Sequence, residues 1–201
     1  MHIRFFTLFI VTASLTVSAM DHFYAFRGGL GISGLLGSDV PKNSEIGLSG
    51  SIGAVGASAF YPAGPLWGTD LSVSILNVKK DTVLWSNESG DNTDSTQYTL
   101  SFGRISMGLF LMKSWDFGLS IYTGPLGSYQ FSCSKSWSGE SEQCDEEYQP
   151  FLMEVEIGMM QQVSERISVE LRYLQTVLPF DVKMKRKEYT YAANLGLLFQ
   201  F

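Results

Sequence analysis

From residue 22 to the end of the chain, apolar and polar side chains alternate with a period of two over eight stretches. The last is the plainest. Tyr191, Ala193, Leu195, Leu197, Phe199 and Phe201 fall on one face, against Ala192, Asn194, Gly196, Leu198 and Gln200 on the other. Successive side chains of a strand point to opposite sides, so this spacing predicts β-strands. The other seven are expected at about 22–32, 46–58, 67–77, 98–111, 115–124, 150–160 and 166–175. One of them changes parity: Tyr98, Leu100 and Phe102 are apolar on even positions, then Ile105, Met107, Leu109 and Leu111 on odd ones. That shift predicts a bulge or an extension beyond the membrane.

The less apolar faces carry Arg27, Asp70, Arg104, Asp116, Glu154, Glu156, Glu170 and Arg172. A soluble sandwich or ligand barrel turns its apolar face inward, and an apolar strand left at a chain terminus invites aggregation in water. A barrel in hydrocarbon requires the opposite, with apolar residues outside and no free edge. Each apolar face supplies the roughly nine to eleven tilted residues that cross the hydrocarbon layer. The connectors alternate between short, around 60–66, 112–114 and 161–165, and long, 33–45, 78–97, 125–149 and 176–188. Periplasmic turns and outward loops follow that pattern, with both termini on the periplasmic side. The predicted fold class is therefore all-β, an eight-stranded antiparallel transmembrane up-and-down β-barrel.

The start of the chain fits export. A short basic opening to Arg4, an apolar run from Phe5 to Val17 and the small residues Ser18 and Ala19 read as a secretory signal cut after Ala19. Residues 1–19 are thus expected to leave, and residues 20–201 to form the barrel. Loss of Arg4 makes the formal charge one unit more negative than the −6 of the whole chain. An acidic chain without a basic stripe argues against nucleic acid as a partner. No run after the signal approaches the roughly 18 apolar residues of a membrane helix.

The signal, the opening strand His22-Phe-Tyr-Ala-Phe-Arg-Gly-Gly-Leu-Gly31, the four long loops and the terminal segment 191–201 together resemble the small eight-stranded outer-membrane barrels of Gram-negative bacteria, the OmpA-transmembrane and OmpX-like group. The resemblance spans essentially the whole chain. It implies a monomer in the Gram-negative outer membrane, in contact with outer-membrane lipids and glycolipid, whose C-terminal strand is read by the barrel-assembly machinery. Members of this group include adhesins, serum-resistance proteins, structural anchors and a few lipid-modifying enzymes. The expected role is structural or surface-interacting and carried by the loops, with a narrow ion or solute channel or a lipid-active enzyme as alternatives.

A lumen of eight strands is just wide enough to be filled by side chains. Arg27, Arg104, Glu154, Glu156, Glu170 and Arg172 are expected to form a charge network there, since isolated charges in a dry interior are costly. Centring the turn between the sixth and seventh strands on Val163 places Glu154 across from Arg172 and Glu156 beside Glu170. Glu154 and Glu156 are the one candidate acid and base pair, and structural pairing is the reading preferred for them. His2 leaves with the signal and His22 sits at the periplasmic end, away from a surface site; no Gly-x-Ser-x-Gly or His-Glu-x-x-His motif occurs. No catalytic, cofactor or metal residues are assigned.

Cys133 and Cys144 share one outward loop, and along an oxidising export route they are expected to form a disulfide. The second loop is acidic through Asp81, Glu88, Asp91 and Asp94, and the third through Glu140, Glu142, Asp145, Glu146 and Glu147. These suit calcium or a basic host surface as a ligand. The fourth is basic through Lys183, Lys185, Arg186 and Lys187, and suits phosphates of the outer-leaflet glycolipid. Trp67, Trp115, Tyr61 and Tyr173 are expected to anchor the barrel at the interfaces.

Overall fold

The computed structural model describes residues 22–38, 40, 44–59, 65–84, 94–137, 140–144, 148–179 and 187–201. Among them the chain forms β1 (His22–Leu36), β2 (Gly47–Ala59), β3 (Leu66–Leu84), β4 (Asp94–Ser114), β5 (Leu119–Trp137), β6 (Glu140–Gln143), β7 (Phe151–Gln162), β8 (Ile167–Thr176) and β9 (Tyr189–Gln200). Eight of these close a ring in which each strand runs antiparallel to both neighbours, in the order β1, β2, β3, β4, β5, β7, β8, β9. Pairing of β1 with β9, from Ala25 opposite Gln200 to Leu36 opposite Tyr189, shuts it. The short β6 turns back along the top of β5, with Glu140 opposite Trp137.

The ring carries its apolar residues outside. Phe26, Leu30, Ile52, Ile75, Leu109, Ile157, Leu171 and Leu197 are all exposed, at odd or even positions according to strand, while the alternate positions are buried. In water this would be an aggregating surface; in hydrocarbon it matches the solvent. Trp67 and Trp115 stand exposed near the end that holds the short connectors 60–65, 115–118 and 163–166, whereas Tyr173 and Tyr191 stack at 6.3 Å toward the other. Tyr61 lies outside the described residues. The final residue is tied down at the short-connector end. Its backbone N–H donates to the Tyr24 carbonyl at 3.1 Å and its ring stacks on Phe26 at 5.1 Å.

Several boundaries differ from those expected. The alternation around 115–118 is a turn, closed by the Gly118 N–H donating to the Trp115 carbonyl at 2.9 Å, with Gly118 at a φ of 84°. Asp116 therefore sits exposed in this turn and not in the lumen. Strand β5 begins at Leu119 and continues to Trp137, through residues read as loop. Strands β3 and β4 likewise pair as far as Leu84 opposite Asp94. Main-chain hydrogen bonds do not require apolar side chains, so the ladder outruns the alternation that lipid imposes. Nor does β4 change face. Leu100, Phe102, Arg104 and Ser106 all point inward, and the apolar pair fills the interior. The bulge lies on β5, where pairing jumps from Arg104 opposite Gln130 to Gly103 opposite Ser132.

The interior is stratified. Near the short connectors an apolar layer gathers Ala25, Val55, Phe110, Met112, Met160 and Leu198, with Tyr122 at its edge. Toward the loops a second gathers Leu76, Val78, Leu100, Phe102, Leu152 and Leu174, and takes in Tyr148 and both cysteines from the third loop. Between them lie the charged side chains. Gly158 on β7 shows how tightly the first layer closes: a Cβ there would come within 2.0 Å of the Tyr122 ring.

Candidate functional site

Seven charged side chains from five strands meet in the middle of the barrel. Position parity puts them there: Arg27 on β1, Asp70 on β3, Arg104 on β4, Glu154 and Glu156 on β7, and Glu170 and Arg172 on β8 occupy inward positions and are all buried. They sort into two networks. In the first, Arg27 Nη2 and Arg172 Nη2 reach the same oxygen, Oδ2 of Asp70, at 2.9 and 2.6 Å. Arg172 also holds Glu156 Oε2, through Nε at 3.0 Å and Nη2 at 2.9 Å. The Tyr122 hydroxyl donates to Glu170 Oε1 at 2.5 Å, and Arg27 Nη1 lies 3.6 Å from that oxygen. In the second, Arg104 Nη1 donates to Glu154 Oε1 at 2.9 Å and to Thr190 Oγ1 at 2.8 Å. The other oxygen of Glu154 accepts from Ser128 and, at 3.4 Å, from Ser106.

The expected network residues are thus brought together, but with different partners. Strands β7 and β8 pair with Glu154 opposite Thr176, Gly158 opposite Arg172 and Met160 opposite Glu170. The turn is one of four residues closed by the Val163 N–H donating to the Ile167 carbonyl at 2.9 Å, so its centre lies beyond Val163. Each expected partner is displaced by four residues along the ladder, and neither Glu154 with Arg172 nor Glu156 with Glu170 is a cross-strand pair. Glycine across from Arg172 leaves its long side chain free to cross the lumen to Asp70. Several buried polar atoms have no hydrogen-bond partner, among them Asp70 Oδ1, Glu156 Oε1, Arg27 Nη1 and Arg172 Nη1.

A third ionic contact has no counterpart among the sequence expectations. Lys80 Nζ lies 2.7 Å from both carboxylate oxygens of Glu188, and both side chains are buried. It straps the upper part of β3 to the start of β9 across the barrel mouth. The signal was parity: Lys80 continues the inward series Asp70, Ser72, Ser74, Leu76, Val78, and Glu188 precedes the inward Thr190 and Ala192. Ending the third strand at about residue 77 hid it.

At the rim, Cys133 and Cys144 form a disulfide with Cα atoms 5.1 Å apart, and both are buried. Tyr148 from the same loop meets Phe102 edge to face at 5.4 Å. The loop is thereby folded onto the barrel mouth, while Glu140 and Glu142 on β6 stay exposed. Of the basic fourth loop, Lys183, Lys185 and Arg186 lie outside the described residues. Lys187 is exposed, and its carbonyl abuts Gly37, where a Cβ would come within 1.9 Å and φ is 137°. In the second loop Glu88 and Asp91 fall outside the described residues, as do Asp145, Glu146 and Glu147 in the third. Residues 1–21, with the expected signal and its cleavage point, do so too. His22 opens β1 opposite Ser58, at the short-connector end.

Taken as a whole, the geometry offers held charges and a projecting rim. Both carboxylates of the candidate acid and base pair are engaged by arginine. No protein-family model and no curated protein matches the chain. Among solved structures the chain is similar to the Neisserial surface protein A, with a TM-score of 0.52 at 11% identity, covering 92% of this chain and 100% of that one. It is also similar to Ail, the attachment invasion locus protein of Yersinia pestis. In complex with the heparin analogue sucrose octasulfate Ail superposes with a TM-score of 0.51 at 11% identity, covering 90% of this chain and 100% of that one. At such identity the likeness is one of fold: this chain has the fold of the eight-stranded outer-membrane barrels.

Proposed function

We propose that the chain is a monomeric barrel of the Gram-negative outer membrane that acts at the cell surface by contact and not by catalysis. The observation that carries this reading is the lopsided rim. β3, β4 and β5 run for 19, 21 and 19 residues, where β7, β8 and β9 stop at 12, 10 and 12. About ten tilted residues suffice to cross the hydrocarbon layer, so the excess stands as a sheet beyond it. Its outward face turns polar where the belt ends. Ser101 Oγ donates to Asn77 Oδ1 at 2.7 Å, and Lys79 pairs with Glu45 at 3.0 Å. A fixed, hydrogen-bonded platform suits recognition better than a hydrated loop, because little ordering entropy remains to be lost on binding.

Exposed Glu140 and Glu142, with Asp145, Glu146 and Glu147 next in sequence, favour a partner with a basic surface. The basic segment Lys183, Lys185, Arg186 and Lys187 is suited to glycolipid phosphates of the same membrane. The test is adhesion of cells displaying the full chain to epithelial monolayers and matrix-coated plates. A variant in which residues 81–97 are replaced by a short turn should reach the surface in equal amount and lose adhesion. Equal adhesion by both would refute the reading.

A further inference from the structure

The interior charges do not balance within the first network. Among the described residues, Asp70, Glu156 and Glu170 face only two cations, Arg27 and Arg172. Elsewhere each cation has its own carboxylate, Arg104 with Glu154 and Lys80 with Glu188. Of the remaining ring strands, β2 and β9 place no charged side chain inside among the described residues, and β5 brings there only the half-buried Lys135, up at the rim opposite Leu100 and Glu142. The surplus negative charge sits between two apolar layers, where an uncompensated carboxylate is strongly disfavoured.

The three acids are unequally served. Asp70 Oδ2 takes two guanidinium nitrogens, and Glu170 takes the Tyr122 hydroxyl and the flank of Arg27. Glu156 has only Arg172, which it shares: one nitrogen, Nη2, lies 2.6 Å from Asp70 Oδ2 and 2.9 Å from Glu156 Oε2. Two carboxylates therefore converge on one nitrogen, and each keeps a buried oxygen without a hydrogen-bond partner, Asp70 Oδ1 and Glu156 Oε1. Like charges so placed cannot both ionise cheaply, and one added proton relieves them. We propose that the lumen is a proton-binding site, in which Glu156 is held as the neutral acid beside ionised Asp70 in the folded barrel at neutral pH. The proton restores neutrality to the five-group cluster and gives one of the two orphan oxygens a donor.

An unfolded glutamate is ionised at neutral pH, so the folded state binds one proton more than the unfolded state. Stability then falls as pH rises from about 4, where an unfolded glutamate ionises, to the pH at which Glu156 itself ionises, and levels off beyond it. The full mature chain, refolded into phosphatidylcholine vesicles with glutamate carboxyls labelled by ¹³C, should show at neutral pH a carboxylic-acid carbonyl band in the infrared that shifts with the label. Glu156→Gln should abolish that band and Glu154→Gln should keep it. In urea, the unfolding midpoint of the unsubstituted chain should drop on raising pH, while that of Glu156→Gln stays level and, at neutral pH, above that of Asp70→Asn. A missing band, a band unmoved by glutamate label, or a Glu156→Gln barrel as weak as Asp70→Asn would overturn the assignment. The spectrum and pH slope of the unsubstituted chain decide the matter even where a variant fails to fold.

Discussion

Arg172 touches two carboxylates at once, so its removal takes one of two partners from Asp70 and the only one from Glu156. In Arg172→Leu, Asp70 keeps Arg27 but Glu156 loses its donor, and breaking one partner of a buried pair costs about 3 kcal/mol or more. Leu171→Val, one residue away on the lipid-facing side, trims a single methylene and should cost about 1 kcal/mol or less. Urea titrations in matched vesicles will rank the two; parity between them would mean that the lumen is wet enough to replace arginine by water. A second substitution probes shape. Gly158→Ala must move the Tyr122 ring, which loosens its hydroxyl from Glu170, and overpacking of this kind costs about 1–3 kcal/mol. The same titrations should find it weaker than the parent. At this scale parity disclosed which charged side chains of the strands face inward, but not that Asp116 lies in an exposed turn or that Leu100 and Phe102 share the inward face of Arg104. It did not disclose partners. Arg172 reaches Asp70 from across the ring, and no local spacing encodes a contact made between β8 and β3.

Strand β5 carries the third loop's anchorage. Joining Cys133 to Cys144 closes a loop with a sequence separation of 11, which the chain-entropy estimate values at about 3 kcal/mol. The bond holds Cys144 and, through the same loop, Tyr148 against Phe102, at the end of the barrel away from both termini. Cys133→Ser with Cys144→Ser should accordingly leave a folded barrel whose β5–β6 hairpin is cut by trypsin at Lys135 while the membrane strands survive. Peptide mapping of the digest checks it. Indifference of the hairpin to the double change would show that Tyr148 packing suffices. Element positions were legible wherever lipid forces alternation, as on β7 and β8. Strand ends beyond the lipid were not: the stretch from Ser132 to Ser136 of β5 is polar but for Cys133, and hydrogen bonding with β4 makes it strand.

For the molecule as a whole, the stacked apolar layers bear on transport. The charged middle is bracketed by Phe110, Met112 and Leu198 on one side and by Leu76, Leu100 and Phe102 on the other. Ions crossing would have to shed water twice. Planar-bilayer recordings of the purified chain should therefore show no steady unitary current; regular steps would mean that one layer opens. The export reading is tested separately. Intact-mass measurement of the protein from outer membranes should give a chain that begins at Met20, and retention of residues 1–19 there would rule out the signal.

The uneven rim also sets a reach. From Asn77 to Leu84, at about 3.3 Å per residue and allowing for strand tilt, the tall side rises roughly 20 Å above the lipid. Sugar chains longer than that on neighbouring lipids would bury the platform, and shorter ones would leave it bare. Whether this protein can touch anything outside the cell is then decided less by its own residues than by the length of the coat around it.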